Sequence, residues 1–596
     1  MKKNTLLLIL FIVYINHLSA QKTPSVILGG CDPATASADL DINNVRAKIL
    51  NAGDMWWDLV KRPCYEVPKG SGKASLFAGS LWIGGLDVGG SLKIASMMYR
   101  QTGNDFWPGP LSSTAETDAS TCNQYDKLWK INKEDVVKYY NWVTGPQIDP
   151  NPVSPSVMNV INSWPTTGKD GHSLAPFLDL NGDGNYDYLE GDVPKFDILD
   201  QKLCGNVLYG DQSIFWVFND AGNTHSETKG TAMGIEVQAQ AFAYSTADDL
   251  NNTTFYKYTI VNRSSFSIQN TYIGLFTDPQ LGDSSDNYSG CDVARNMGYT
   301  YNFEAGDKVY GINAAAIGID LLEGPYADPD GLDNDANTTF NGSNYGNGIT
   351  DDERLGMSYF MYWHNDFTVT GNPSTSTHFY NYLHSTWKDG AVLTYGDDGR
   401  TGTQPCRYMF PGDSDPIGWG VGGTPTSPKP QSIWTEEGTP QFPITEHRLT
   451  QSMGPFTFQP GAVQTITFAV VWAQASSGGP KASLQKMLNA SDEVQKLFDA
   501  CFVNISIGIN KNNKNSLIVN VSPNPFTTYT TLTFENTKGE KYELNVYNVL
   551  GQLVLSKSDI TGNNVVIERN QLLPGDYFYT LQNSKKEVVS GKLALH

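Results

Sequence analysis

Apolar and polar positions alternate along much of the chain, and this pattern predicts a protein built mainly from β-strands. Residues 235–244 alternate over their first half, as a half-buried strand does. The stretches 254–264 and 464–473 are rich in the β-branched and aromatic residues that paired strands prefer. No internal repeat of the solenoid or propeller kind is visible. We therefore predict a multi-strand, antiparallel, β-rich body that spans residues 21–505.

One segment near the end of this body has the periodicity of a helix instead. Across residues 481–502 the apolar side chains recur at helical spacing, at Leu484, Met487, Leu488, Val494, Leu497 and Phe498. The sequence predicts one late helix here, and we expect its apolar face to pack on the sheet.

The last part of the chain has a different pattern. Residues 506–515 are polar and rich in asparagine, which predicts a linker. Seven short β-rich runs separated by turn residues follow in 516–596. Short strands at this spacing predict a small immunoglobulin-like β-sandwich that forms a separate C-terminal domain.

The first twenty residues have the pattern of a secretory signal peptide. Lys2 and Lys3 precede an apolar run at 6–13, and small residues follow at 18–20. The run is too short to span a bilayer, whose apolar core is about 30 Å thick. No later stretch is apolar enough to span one, so we expect an exported mature chain without a transmembrane segment.

The net charge of the chain excludes some classes of function. The chain has a formal net charge of −21, whereas residues 516–596 hold seven basic and seven acidic side chains, so the acidity belongs to the body. A surface of this sign repels nucleic acid and favours divalent cations. We therefore expect no nucleic-acid partner.

The stretch DLNGDGNYDYLE at 179–190 has the ligand spacing of an EF-hand calcium loop. In such loops oxygen ligands occupy positions 1, 3, 5, 7, 9 and 12, with glycine at 6. Gly184 holds that sixth position, and the predicted ligands are Asp179, Asn181, Asp183, Asn185 (through its carbonyl), Asp187 and Glu190. The flanking residues do not support the usual helix pair. We predict a calcium loop inserted between other elements.

A second acidic tract at 327–353 is a weaker candidate for the same ion. Its acidic residues lie at near-alternate positions and return after a polar, glycine-rich insertion, which gives Asp328, Asp330, Asp333, Asp335 and Asp351 as predicted ligands. The alternative is a flexible acidic surface loop.

The sequence offers no local signature of catalysis. The H-E-x-x-H, G-x-S-x-G and P-loop motifs are absent, and the histidines form no close pair with metal-ligand spacing. The many tryptophans could be platforms for sugars, but in β-proteins such residues more often fill the core. The seven cysteines allow up to three disulfides or mostly buried thiols, and the sequence does not decide between these.

The C-terminal domain resembles a known family. Its landmarks are VSPNPF at 521–526, YNVLG at 547–551, LPGDYF at 573–578 and a last strand with Lys592. They are similar to the type A C-terminal sorting domain of cargo of the Bacteroidota type IX secretion system. The resemblance implies passage through the periplasm and the outer membrane by that machinery, usually with removal of the domain. The body is then attached to surface lipopolysaccharide or released.

The body resembles a recurring, uncharacterised module of large Bacteroidota surface proteins, in stretches such as LWIGGLD at 81–87 and FWVFNDAGNTH at 215–225. This resemblance implies a class of protein without an activity. We expect a secreted or cell-surface protein, non-enzymatic, adhesive or glycan-binding, and stabilised by calcium. The alternative is a secreted hydrolase that acts on polysaccharide or protein.

Overall fold

The structure is a computed structural model of the full chain. It describes residues 26–100, 103–145, 151–195, 210–303, 306–439, 446–502, 519–534, 536, 539–548, 553–570, 572–583 and 588–595. The predicted signal peptide at 1–20 and the predicted linker at 506–515 lie outside the described residues.

The body is mainly β, as the alternating pattern predicted. Its strands in chain order are β1 (Ser37–Leu40), β2 (Arg46–Leu50), β3 (Asp54–Met55), β4 (Tyr65–Glu66), β5 (Ala74–Asp87), β6 (Leu92–Ser96), β7 (Trp107–Pro108), β8 (Trp129–Asn132), β9 (Phe177–Leu178), β10 (Val193–Pro194), β11 (Gln212–Asn219), β12 (Ile235–Ala243), β13 (Thr253–Asn262), β14 (Ile268–Pro279), β15 (Asn287–Asp292), β16 (Met297–Asn302), β17 (Ala316–Glu323), β18 (Tyr359–His364), β19 (His447–Phe458) and β20 (Val463–Ala473). The three strands singled out in the sequence are β12, β13 and β20, which are hydrogen-bonded neighbours in one antiparallel sheet.

Five α-helices occur within the described ranges. They are α1 (Ala119–Tyr125), α2 (Lys133–Val143), α3 (Pro155–Asn162), α4 (Ser376–Leu383) and α5 (Gly479–Asp499). The predicted late helix is α5, and it lies against β16, β17 and β20 as expected. The other four helices were not predicted, because they are short and their apolar residues cover less than three turns. No helix in these ranges is long and apolar enough to cross a membrane.

Most strands of the body belong to two large antiparallel sheets. In the described part of the chain each sheet has nine strands: one follows the order β1-β2-β3-β5-β14-β19-β18, with β4 and β6 beside it, and the other follows β15-β16-β17-β20-β13-β12-β11-β7, with β8 beside β11. One hydrophobic core contains inward-facing residues from both sheets, for example Ile83 and Met453 from the first sheet, and Tyr258 and Phe468 from the second. The two sheets therefore pack face to face as a sandwich.

The outer faces of both sheets are also covered, which explains why these strands are apolar on both sides. On the second sheet, a separate core joins Phe255 and Val471 to Met487 and Val494 of α5. On the first sheet, a third core joins Trp82 and the loops around it to α4. Two sheets between two outer layers give a body with a large core.

The FWVFNDAGNTH stretch holds a buried charged group inside the body. Both ring nitrogens of His225 face backbone carbonyl oxygens, Nδ1 that of Ile94 at 2.8 Å and Nε2 that of Asp220 at 2.7 Å. Since a carbonyl only accepts, both nitrogens must donate and the ring is an imidazolium. Burial opposes this charge, but the carboxylates of Asp105 and Asp220 raise the pKa of His225 above its usual value. The motif thus joins β6 to the loop that follows β11.

The C-terminal domain is a β-sandwich, as predicted. Within the described residues its strands are β21 (Val519–Ser522), β22 (Tyr529–Phe534), β23 (Tyr542–Asn548), β24 (Leu553–Ile560), β25 (Asn564–Glu568), β26 (Gly575–Asn583) and β27 (Val588–Leu595). They form a three-stranded sheet, β21-β22-β25, and a four-stranded sheet, β24-β23-β26-β27. A core of its own, which includes Leu532, Leu544 and Leu581, fills the domain.

Candidate calcium loops and the sorting domain

The predicted calcium loop connects two short strands rather than two helices. Strand β9 precedes it and β10 follows it, and the strands pair with Leu178 opposite Val193 and Phe177 opposite Pro194. The loop is therefore closed at its base by a two-stranded ribbon. This explains how an EF-hand type of spacing occurs without flanking helices.

Two glycines and one aspartate shape the turn of this loop. Gly182 and Gly184 have φ of +77° and +80°, a region that favours glycine. Their backbone amides donate to the carboxylate of Asp179, to Oδ1 from Gly182 at 2.7 Å and to Oδ2 from Gly184 at 2.8 Å. The first ligand position is thus wrapped by the loop's own backbone.

The side chains of three predicted ligands meet in the structure. Asn181 Nδ2 donates to Glu190 Oε2 at 2.5 Å and to Asp183 Oδ2 at 3.3 Å. Positions 3, 5 and 12 are therefore together. Asn185 donates its backbone amide to Asp183 Oδ1 at 2.7 Å, and Asp187 caps a short 3-10 helix at the end of the loop. These oxygens are hard ligands of the kind that calcium takes.

Asp192, just beyond the loop, supports the loop and was not found in the sequence analysis. Its side chain is fully buried, with Oδ1 accepting from the amide of Leu180 at 2.9 Å and Oδ2 from that of Asp187 at 2.8 Å. One carboxylate thus ties position 2 of the loop to position 9. Spacing motifs include only ligands, so this supporting residue had no signal.

Two tyrosine hydroxyls attach the loop to the neighbouring helices. Tyr186 donates to the carbonyl of Ile161 in α3 at 2.7 Å, and Tyr139 of α2 donates to the carbonyl of Tyr188 at 2.6 Å. An ion in this loop would therefore stabilise the contact of the ribbon with α2 and α3.

The second acidic tract uses its carboxylates to brace its own loop. Asp333 accepts from the amides of Gly346 and Gly348, at 2.8 and 2.7 Å. Asp351 Oδ1 accepts from the amides of Asp330 and Gly331, at 2.8 Å each. Asp335 accepts from the amide of Asn337, and Asp328 lies apart, bonded to Thr457. The five predicted ligands therefore do not meet at one point as the tract is folded here.

As the side chains stand, the described residues contain no group of three or more His, Cys, Asp or Glu close enough to hold a metal ion.

The tryptophans considered as sugar platforms are mostly core residues. In the structure Trp419 is half-buried, and the others are buried: Trp56, Trp57, Trp82, Trp107, Trp216, Trp363, Trp387 and Trp434. Buried indole rings pack against neighbouring side chains and present no face to a ligand.

The fold brings together one serine–histidine pair that no sequence motif predicted. Ser289 Oγ lies 2.7 Å from His447 Nε2, and the ring of Tyr362 stacks on His447 with 4.6 Å between centroids. Such a pair is the start of a nucleophilic site. However, both residues are only 2% exposed, so a substrate has no access to the hydroxyl in this structure.

The cysteines divide between disulfides and buried thiols. Cys31 and Cys122 form a disulfide, and Cys501 is also disulfide-bonded. Cys291 and Cys406 are buried free thiols, and Cys64 is a half-buried one. Burial raises the pKa of the Cys291 thiol well above its ordinary value, so this thiol is unreactive.

In the C-terminal domain, two of the sequence landmarks pack against each other. Phe526 of the VSPNPF stretch is buried, and its amide donates to the carbonyl of Ala594 at 2.9 Å. Asn524 pairs with the last strand, as its Nδ2 donates to the carbonyl of Lys592 and its Oδ1 accepts from the amide of Ala594. The first landmark therefore closes the sandwich against β27.

Three solved structures show weak similarity to the chain. CopC from Methylosinus trichosporium OB3b is 16% identical over 13% of this chain and 90% of its own, with a TM-score of 0.11. A polysaccharide lyase is 8% identical over 61% of this chain and 34% of its own, with a TM-score of 0.16. Dimeric latent PorU from Porphyromonas gingivalis is 9% identical over 64% of this chain and 31% of its own, with a TM-score of 0.12. Scores this low carry no argument about fold or function.

No curated protein matches the chain. Residues 520–595 match the family described as the secretion system C-terminal sorting domain. This match confirms the resemblance seen in the landmarks, and it implies an interaction with the type IX machinery and export from the cell. The chain therefore carries, at 520–595, the sorting domain of type IX secretion cargo.

Proposed function

We propose that the body is a non-enzymatic, adhesive or glycan-binding protein of the cell surface, stabilised by calcium and delivered by its sorting domain. After export the body at 21–505 would be attached to surface lipopolysaccharide or released. Extracellular glycans are its proposed partners.

The observation that carries the proposal is a pair of long insertions at one strand. Residues 324–358 connect β17 to β18, and 365–446 connect β18 to β19, so both insertions start or end at β18. Loops of this length on a rigid scaffold usually serve recognition. They present exposed apolar side chains, among them Leu332, Ile349, Phe367, Val392 and Ile433.

Calcium is proposed to bind the loop at 179–190, and more weakly the tract at 327–353. The first loop has six oxygen-bearing residues in EF-hand register, shaped by positive-φ glycines and closed by a ribbon. When bound, the ion would supply structural cross-linking. Asp179, Asn181, Asp183, Asn185, Asp187 and Glu190 would hold it.

A glycan array tests the adhesive function. The mature chain, labelled with a fluorophore, should bind a subset of immobilised glycans in millimolar calcium without releasing reducing sugar. Failure to bind any glycan would contradict glycan recognition. Deletion of 516–596 should retain the body in the periplasm, and its continued appearance at the surface would contradict sorting by this domain.

One observation bears on the hydrolase alternative, the contact between Ser289 and His447. The mature chain should therefore be screened with pooled polysaccharides, casein and chromogenic esters. Turnover that is lost in Ser289→Ala or in one acidic variant would favour the hydrolase. The proposal expects no turnover, because both residues of the pair are buried.

A further inference from the structure

One buried acid interrupts an otherwise apolar face of the body. Along β17, the inner-facing Ile317, Ile319 and Leu321 join the core between the two sheets. The outer face of β17 contacts α5. There Ala316 and Leu322 join the second core, and Asp320 lies between Gly318 and Leu322. Asp320 is 1% exposed. A polar residue in such a face conflicts with the local pattern, and conflicts of this kind mark functional positions.

The carboxyl of Asp320 is held by the helix that covers it. Ser491 of α5 donates its hydroxyl to Oδ2 at 2.6 Å. Burial raises the pKa of this carboxyl to about 7. A buried carboxyl costs stability, and one hydrogen bond offsets only part of that cost.

The residue lines a cleft of about 350 Å³. Helix α5 forms one wall with Ser491, Asp492 and Gln495, and the end of β17 forms the floor. The segments 294–296 and 340–343 close the other sides. This volume lies at the lower end of the range for small-ligand sites, and it suits one or two sugar rings.

Two arginines pair with acids around the cleft. Arg295 binds Asp492 through two hydrogen bonds, from Nε at 2.8 Å and from Nη2 at 3.0 Å, and it also binds Asp292. Arg354 lies 3.4 Å from Glu323. A divalent cation, which takes six to eight oxygens, would therefore find few free ones.

The hydroxyl groups of a ligand could form hydrogen bonds with the polar atoms of the cleft that remain free. Asp320 has a pKa of about 7, so its carboxyl donates a hydrogen bond when protonated and accepts one when ionised. A sugar hydroxyl can accept in the first case and donate in the second. Gln495 and Asn341 also line the cleft, and Phe340 adds an aromatic ring. The amide nitrogens of Gln495 and Asn341 already donate within the protein, to Asp499 Oδ1 at 3.0 Å and to the carbonyl of Met357 at 2.8 Å, so these two side chains offer a ligand their acceptor oxygens. Polar groups converging beside an aromatic residue are typical of sites for neutral polar ligands.

We propose that this cleft binds a neutral, hydroxyl-rich saccharide unit of one or two rings, with Asp320 as its buried polar contact. The inference rests on the proposed glycan binding and gives that function a site. The groups that face Asp320 are Ser491 and Asp492 from α5, together with Asp292 at the end of β15 and Arg295 in the turn that follows.

Isothermal titration of the mature chain with neutral monosaccharides and disaccharides tests the proposal, with glucose, galactose, mannose, N-acetylglucosamine, maltose and cellobiose as probes. Asp320→Asn keeps the shape and the bond to Ser491, and it should weaken binding by about tenfold, the value of one charged hydrogen bond. Ser343→Trp places a large ring at the exposed cleft edge and should abolish binding. The matched control is Ser477→Trp, an exposed serine outside the cleft.

The pH dependence gives a second readout. Hydroxyl donors stabilise the ionised carboxylate, so the wild type should bind more tightly at pH 8 than at pH 6, by about tenfold for each pKa unit that the ligand shifts. Asp320→Asn should show no such dependence. Thermal melts verify that the variants fold.

Each outcome decides between the two proposals. Binding that is about tenfold weaker in Asp320→Asn, lost in Ser343→Trp and kept in Ser477→Trp supports the cleft. Saccharide binding that survives both cleft variants overturns the cleft and leaves the glycan-binding function standing. If the wild type binds no saccharide, the cleft proposal is overturned. The glycan array then shows whether the proposed glycan-binding function fails as well. Binding of a simple amine instead, such as ethanolamine, also overturns the saccharide assignment.

Discussion

The loop at 179–190 and the cleft under α5 both contain acidic side chains, but the protein holds them in opposite ways. The loop is solvent-exposed over most of its length, and its carboxylates accept from backbone amides within the same twelve residues. The cleft places Asp320 almost fully out of water, between segments that are far apart in sequence. Exposed acids on a preformed loop can bind an ion at little cost in folding free energy. A buried acid lowers the stability of the fold, so its presence calls for another reason.

The largest expected effect concerns that cost. Because folding raises the pKa of Asp320 from 3.8 to about 7, the stability linked to its protonated form is present below pH 3.8 and is lost as pH rises through 7. Asp320→Asn imitates the protonated acid at every pH. It should stabilise the protein relative to the wild type at pH 8, on the order of a few kcal/mol by linkage.

Thermal melts of both proteins at pH 4.5 and pH 8 measure this difference. The advantage of the variant should be larger at pH 8. If the variant melts above the wild type by the same amount at both pH values, the ionisation of Asp320 is not coupled to folding. The buried acid would then not differ from the exposed acids of the loop in its cost to stability.

The next effect is that of calcium on the body. An ion that binds only the native state stabilises it by about 2.7 kcal/mol at a hundredfold excess over Kd. The melting temperature of the mature chain should rise in millimolar calcium, fall with chelator, and respond much less in Asp183→Ala. Asp320→Asn is the control, and its response to calcium should equal that of the wild type. An unchanged midpoint in the wild type would contradict a calcium loop.

Asp192 sharpens the comparison, because it is a buried acid that serves the exposed loop. Asp192→Asn removes one of two acceptors for the amides of Leu180 and Asp187 but leaves all six proposed ligands in place. Supporting residues of this kind change metal affinity by about 10- to 100-fold. Calcium titration should therefore show weaker binding with unchanged stoichiometry. Equal affinity would restrict Asp192 to a structural role.

The loop could be predicted from the sequence and the cleft could not, for a physical reason. The ligand register of 179–190 is readable because all its residues are contiguous and a tight turn fixes their spacing. The β-rich body, α5 and the C-terminal sandwich were likewise predicted from local periodicity. Asp192 and Asp320 were not, since burial and the partners Ser491 and Leu180 come from tertiary packing.

The same limit applies to the chemistry of other groups. The contact of Ser289 with His447 joins residues on two sheets, and the imidazolium of His225 depends on carbonyls that only the fold supplies. The tryptophans were ambiguous in the sequence, and burial identifies them as core residues.

The smallest expected effect is at the second acidic tract. Asp330 accepts from the amide of Leu332 and from Asn334, in a loop already braced by Asp333 and Asp351. Asp330→Ala should remove only a weak second calcium-binding event and shift the melting temperature in calcium less than Asp183→Ala does. A larger shift for Asp330→Ala would reverse the proposed order of the two loops.

The most direct test is a crystal of the mature chain grown in millimolar calcium, with anomalous diffraction measured at long wavelength. We expect an anomalous peak within about 2.3–2.6 Å of oxygens from Asp179, Asn181, Asp183 and Glu190, the calcium–ligand distance. We expect no peak between Asp320 and Asp492 in the cleft. A peak in the cleft, or none at 179–190, would contradict the assignment of calcium to the exposed loop and of a neutral ligand to the buried acid.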